Sequence, residues 1–308
     1  VTERQRNLFV TGLALAIVGS ALFSGKAIVV KLAYRYGVDA TTLIALRMLF
    51  SAPFFVAVYL WKAGAAAPLA RADHARLVLI GLLGYYGASM LSFLGLMYVS
   101  AALERLILYL NPTLVLLLSA LFLGRRIRRV ELAALALAYG GLVLAFAHDL
   151  RVADRGGVLI GSALVFGSAL SYASYLVIAG EMVRRIGAIR LTAYASMVST
   201  VAVLLQFALL NPLASLIQPM PVYWLSFVNG LFCTVLPMFA TMMAVERIGA
   251  GSASVAAMIG PVVTIALGAA FLGEPVSGVQ LAGTALVLAG VFVLSRGGGT
   301  PQNARREA

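Results

Sequence analysis

Residues 111–124 read NPTLVLLLSALFLG, and residues 260–273 read GPVVTIALGAAFLG. Pro112 recurs as Pro261, and Phe122-Leu123-Gly124 recurs as Phe271-Leu272-Gly273, each 149 positions on. The register holds outward from this stretch. Gly81 matches Gly230, Ala101 matches Ala250, Val130 matches Val279 and Gly141 matches Gly290 at the same offset. Gly19-Ser20-Ala21-Leu22 matches Gly167-Ser168-Ala169-Leu170 at an offset of 148. A fixed offset over most of each half marks an internal duplication, which fixes the architecture before any local feature does.

The 308 residues are 62% hydrophobic and 11% charged, with a mean hydropathy of +1.00. A soluble domain carries about 25% charged residues, so lipid is the expected solvent for most of this chain. Ten apolar runs are long enough to cross a bilayer, near 8–33, 40–61, 76–99, 102–123, 130–147, 157–180, 190–210, 222–245, 250–272 and 276–295. In lipid such runs are helices, because every backbone polar group must be satisfied within its own segment. The first run lacks an Ala-x-Ala-like cleavage pattern and reads as a retained span.

The net charge of +12 reflects topology, not nucleic-acid binding, because the loops offer few aromatics among their basic residues. With a cytoplasmic N-terminus, sixteen Lys and Arg lie in inner segments, among them Arg125, Arg126, Arg128 and Arg129. Only Lys31, Arg35, Arg105, Arg151 and Arg155 lie in outer ones. Both termini are therefore expected inside. Five spans per copy is an odd number, so the second copy enters the membrane inverted relative to the first. The expected fold is an all-α membrane protein of ten transmembrane helices in two inverted five-helix repeats, residues 1–148 and 149–308. Inverted repeats are a recurring plan of secondary transporters, with substrate bound near the midplane between them.

The ten spans, Arg47 early in the second, Pro112 and Pro261, and Phe271-Leu272-Gly273-Glu274 followed by Gln280 and Gly283 resemble the EamA-type branch of the drug/metabolite transporter superfamily. The likeness runs over nearly the whole chain and is nearest to bacterial exporters of aromatic and other amino acids. The first copy departs from the pattern, with Arg125 where the family often has Glu. The resemblance implies ten helices, an interior cavity between two four-helix sets, and export across the bacterial inner membrane. It implies a small-molecule substrate, amino acids or related metabolites, in a monomer or weak homodimer.

Charges within spans point to function first, because each is costly there. Lys26 and Arg47 lie about 10 Å below the outer surface. They read either as a cationic patch for a substrate carboxylate or as side chains that snorkel or bind helix-end carbonyls. Their repeat partners, near Ser174 and Ala195, are uncharged. Tyr85, Ser89 and Ser92 share one helix side, bordered by Tyr86, and Ser168, Ser171, Tyr172 and Tyr175 repeat the pattern in span six. Tyr109 and Asn111 precede Pro112, and Asn229, Cys233 and Thr234 lie in span eight. Such residues either line a cavity that stacks and hydrogen-bonds small zwitterions or serve close helix packing. Pro112, Pro237 and Pro261 are expected to kink span interiors and are candidate hinges for gating.

The rival readings are a membrane-embedded enzyme and a non-transporting sensor or assembly subunit. Gly87-Ala88-Ser89-Met90 lacks a histidine at its depth, since His74 and His148 lie at span ends. A single cysteine and two histidines give no set of metal ligands, and Gly25-Lys26 fails the phosphate-loop pattern. No cofactor is expected. Glu104 and Glu131 lie close to span ends, which leaves a proton relay without an obvious carboxylate carrier; coupling would use another group, and uniport or exchange fits as well.

Overall fold

The computed structural model describes residues 3–63, 71–124, 127–152 and 155–297. Among them the regular structure is entirely helical. The first copy comprises α1 (Glu3–Tyr34), α2 (Ala40–Ala63), α3 (Arg71–Gly81), α4 (Ala88–Leu96), α5 (Ala101–Leu108), α6 (Asn111–Leu123) and α7 (Arg129–Val152). The second comprises α8 (Arg155–Ile186), α9 (Ala188–Leu210), α10 (Met220–Gly230), α11 (Leu236–Ala257), α12 (Gly260–Leu267) and α13 (Gly278–Gly297). Eight stretches are long and apolar enough to cross a membrane, and Gly260–Leu272 and Gly278–Val293 are shorter apolar helices. Arg125, Arg126, Arg305 and Arg306 lie outside the described residues, as do the side chains of Arg4, Lys62, Arg71, His148, Arg151, Arg184 and Arg296.

The duplication is visible in the backbone. A π-helical segment, Leu82–Gly87, separates α3 from α4, and its counterpart, Leu231–Val235, separates α10 from α11. The two start 149 residues apart. Turns at Tyr109–Leu110 and Met258–Ile259 interrupt the next helix of each copy at the same repeat position. Gly124 caps α6, and Gly273 caps the π-helical segment Gly268–Leu272 that continues α12, with φ of 65° and 71°, left-handed values that glycine adopts without strain.

The contacts show that the copies run in opposite directions. On α1, Gly12 packs on Ile248, Gly19 on Ala240 and Gly25 on Cys233. On α8, the corresponding Gly161 packs on Val99 and Gly167 on Leu91. Lys26 bonds Ser92 and Lys31 bonds the Val99 carbonyl, so α1 runs parallel to α4 while α8 runs against it. Gly12 and Gly161 therefore lie at opposite faces. We term the face where α1 begins the near face and the other the far face.

The same exchange relates α7 to α13. Gly141 abuts Gly283 and Val287, while Gly290 abuts Ala134 and Ala138, so each contact is the repeat image of the other. Small residues let these backbones approach closely, which is how helices associate without a hydrophobic driving force. Leu121, Val143, Val201 and Leu205 remain exposed and present the apolar surface that lipid covers.

Two expectations are corrected. A break was expected between spans ending at 245 and starting at 250, but the backbone stays helical from Leu236 to Ala257 and turns only at Met258. Apolar runs mark burial in lipid, and a helix crosses a weakly polar interval whenever its hydrogen bonds continue. Pro112 and Pro261 were expected to kink span interiors. Each instead sits in the first turn of a new helix, where its missing N–H has no partner to lose. Pro237 follows the second π-helical segment directly, where the widened turn accommodates the ring.

The seam between α7 and α13 predicts matched sensitivities. Gly141→Leu and Gly290→Leu should each destabilise the protein by about 1–3 kcal/mol through overpacking. Gly140→Leu, which meets no atom within 4 Å, should leave the melting temperature in detergent unchanged.

Candidate functional site

The far end of α5 starts inside the protein. Ser100 accepts a hydrogen bond from the Leu103 amide at 3.0 Å and so fixes the first turn. That start places Glu104 and Arg105 one turn further in. Glu104 is fully buried, and its Oε1 accepts from Lys26 Nζ at 2.9 Å and from Ser92 Oγ at 2.6 Å. Lys26 Nζ also donates to Ser92 Oγ at 2.9 Å. Lys26 lies eight residues before the end of α1, about 12 Å along the helix, and Glu104 shares that depth.

The expectation of no interior carboxylate is thus overturned. Glu104 lies near the end of its run in the sequence, but the preceding turn is itself covered by the fold. Arg105, counted with the outer segments, is buried too. Its guanidinium donates to Ser24 Oγ at 3.2 Å and lies over the rings of Phe23 and Tyr109, 5.0 and 5.1 Å from their centroids. Gly260 leaves room for this approach, since a Cβ there would stand 2.7 Å from the Arg105 guanidinium. Arg47 is buried over Phe93, 4.8 Å from its centroid, with no carboxylate in ion-pair distance among the described residues. Lys26 therefore neither snorkels nor stands free; an internal carboxylate holds it.

Three cations and one carboxylate are gathered around the middle of α1. All four come from the first copy; the repeat positions of Glu104 and Arg105 are Ala253 and Ser254. The second copy contributes carbonyls instead. The Ala257 carbonyl, at the end of α11, accepts from Tyr109 Oη and from Ser20 Oγ at 2.6 Å, and the Gly260 carbonyl accepts from Ser24 Oγ at 3.0 Å. Buried polar atoms without a protein partner among the described residues include Nε of Arg47 and Arg105 and Oε2 of Glu104 in this cluster, and both side-chain amide atoms of Asn229 on α10. Buried polar groups are nearly always paired, so these atoms make the cluster the candidate site.

The tyrosines expected at one lining are distributed over three places. Tyr85 lies 3.5 Å from both Tyr175 Oη and Thr192 Oγ1, and Tyr172 packs on Tyr175 with centroids 5.2 Å apart. Tyr86 donates to Gln206 Oε1 at 2.7 Å. Tyr109 alone joins the cationic cluster. Ser171 donates to the Leu83 carbonyl at 2.8 Å, which ties α8 to the first π-helical segment. Asn111 opens α6, and Ser89 is half-buried on α4.

A second polar group closes the far face. Glu274 accepts from the Ala101 amide at 3.0 Å and pairs with Lys31 at 3.0 Å, so the carboxylate caps the first turn of α5. Arg35 donates to the Leu272 carbonyl at 3.0 Å. Beside this latch is a cleft of about 380 Å³ lined by Lys31, Tyr34, Gly37, Val38, Asp39, Leu96 and Met97.

Sequence reasoning missed Glu104, Arg105 and Ser24 as members of the site. The signal was present, because the expected span 102–123 already contains both charged residues. Removing one partner of the buried pair should be costly: Glu104→Leu is expected to destabilise the protein by about 3–5 kcal/mol. Lys26→Met with Glu104→Leu should recover most of that loss, as read from melting in detergent.

Comparison with known proteins agrees with this architecture. The profile of the EamA-like transporter family matches residues 10–147 and again residues 159–296. The uncharacterized transporter YcbK of Bacillus subtilis (strain 168) is 30% identical over 295 residues, covering 93% of this chain and 92% of that protein. An uncharacterized transporter of Archaeoglobus fulgidus is 28% identical over 217 residues, covering 70% of this chain and 76% of that protein. A solved crystal structure at 19% identity superposes with a TM-score of 0.64 over 92% of this chain and 98% of that one, a likeness of fold alone. This multi-pass membrane protein belongs to the EamA-like transporter family.

Proposed function

We propose that the protein is a secondary transporter that exports small metabolites, chiefly amino acids including aromatic ones, by alternating access across the bacterial cytoplasmic membrane, with both termini cytoplasmic. The observation that carries this reading is the excess of buried cations. Lys26, Arg47 and Arg105 are all buried, yet the internal carboxylate Glu104 pairs with Lys26 alone, and a charge left unmatched in the bilayer interior is costly. A substrate carboxylate supplies the missing partner. Phe23, Tyr109 and Phe93, which already cover the cations, offer ring faces to an aromatic side chain.

In this account substrate enters from the near face and binds between α1, α4 and α5 of one copy and α11 and α12 of the other. The Lys31–Glu274 pair and the Arg35 contact hold the far face shut meanwhile. Outward opening breaks that latch. The helix breaks before Pro112 and Pro261, together with the π-helical segment before Pro237, are the points at which backbone angles change. Tyr85, Tyr86, Tyr172, Ser89, Ser171, Asn111 and Asn229 line the widened path in one or the other state.

Efflux from proteoliposomes loaded with single radiolabelled amino acids tests the proposal. Saturable efflux is expected for aromatic amino acids, cut tenfold or more by Lys26→Ala or Arg105→Ala. It should also fall when Tyr86, Tyr109 and Tyr172 are replaced together by Ala. Efflux no faster than from protein-free vesicles, for every amino acid tried, would refute the assignment.

A further inference from the structure

We infer that the Lys26–Glu104 pair is the empty site's internal substitute for a zwitterion, and that Glu104 is the receptor for the substrate's ammonium group. The inference rests on the transport reading above and adds to it a selectivity that the excess of cations does not supply. Cations alone select carboxylates, with or without an amino group. Glu104 changes that selection.

Its geometry suits the task. Oε1 is committed to Lys26 and Ser92, whereas Oε2 is buried and has no protein partner, so half of the carboxylate is available to accept from a second donor. Arg105 is the next residue, and its Nε is likewise without a partner. A carboxylate and a guanidinium, each with one unused polar atom, thus stand on adjacent positions of α5. Phe23 lies over both cations, 5.7 Å from Lys26 Nζ and 5.0 Å from Arg105 Cζ, yet remains 40% exposed.

Binding then exchanges one ion pair for two. The substrate carboxylate takes Lys26 and Arg105, the substrate ammonium takes Glu104, and Ser92 keeps its place between the two side chains. No net charge enters or leaves the site. When substrate departs, Lys26 and Glu104 pair again, so neither of these two charges stands without a partner in the membrane interior. A monoanion that draws Lys26 away would leave Glu104 with Ser92 as its donor and no cation to pair with. A simple amine would leave Lys26 without its carboxylate. Both should be rejected.

The test is competition in proteoliposomes that export a labelled amino acid. The unlabelled parent, its N-acetyl derivative, its deaminated acid and its decarboxylated amine are each added as competitors. The expected result is inhibition by the parent alone, with each analogue at least about tenfold weaker, as a site built to bond a polar group rejects ligands lacking it. Inhibition by the deaminated acid equal to that by the parent would overturn the role of Glu104 and leave the transport reading standing. Failure to move any labelled amino acid would remove both. In Glu104→Gln the preference for parent over deaminated acid should collapse. If that variant does not fold, the charge exchange Lys26→Glu with Glu104→Lys restores the pair and should keep the preference for zwitterions.

Discussion

The structure depends on close backbone contact between two copies that point in opposite directions. Hydrocarbon gives helices no hydrophobic reason to associate, so the association rests on fit. Glycines provide that fit at repeat-related places: Gly12 with Gly161, Gly81 with Gly230, and Gly141 with Gly290. Gly230 stands against the Arg47 carbonyl, and Gly81 stands against the Ala195 carbonyl, the same contact seen from the other copy. Such packing passes each copy's first helices against the other copy's third. The site is thereby built from both copies, though neither could form it alone.

The scaffold is symmetric and the chemistry is not. Every buried charge at the centre belongs to the first copy, while the second offers helix-end carbonyls at Ala257 and Gly260. This division has a physical logic. The end of α11 carries the negative pole of its dipole, which helps to balance Arg105, and Ser20, Ser24 and Tyr109 bridge the two copies there. Glu274 caps the α5 turn at the far face, whereas position 125, its repeat image, is Arg. A carboxylate cap like that of Glu274 therefore cannot recur at the repeat position.

Much of the fold was legible because a duplication leaves a fixed offset that composition cannot imitate. The offset of 149 residues paired the closing glycines and the two prolines, and with an odd number of spans per copy it implied the inverted arrangement; that the prolines open new helices was not legible. It also relates the π-helical segments Leu82–Gly87 and Leu231–Val235, although nothing in their apolar letters announces a widened turn. The site was less legible. Glu104 lies three residues into its helix, and sequence measures depth along the chain, whereas burial depends on what covers the preceding turn. Lys31 and Glu274 provide that cover from distant positions. The tyrosines shared a helix side, but Tyr85 and Tyr86 are adjacent within a π-helical segment and turn toward different partners on α8 and α9. Ion pairing was hidden for a simpler reason: residues 26 and 104 meet only because α1 and α5 converge.

The relation between the copies is the claim on which the candidate site, the helix breaks and the far-face contacts all depend. Arg6 and Arg155 are exposed repeat equivalents near the starts of α1 and α8. In a Cys233→Ser background, Arg6→Cys and Arg155→Cys should react with a membrane-impermeant maleimide from opposite faces of sealed, uniformly oriented vesicles. Reaction of both from the same face would contradict the inverted arrangement.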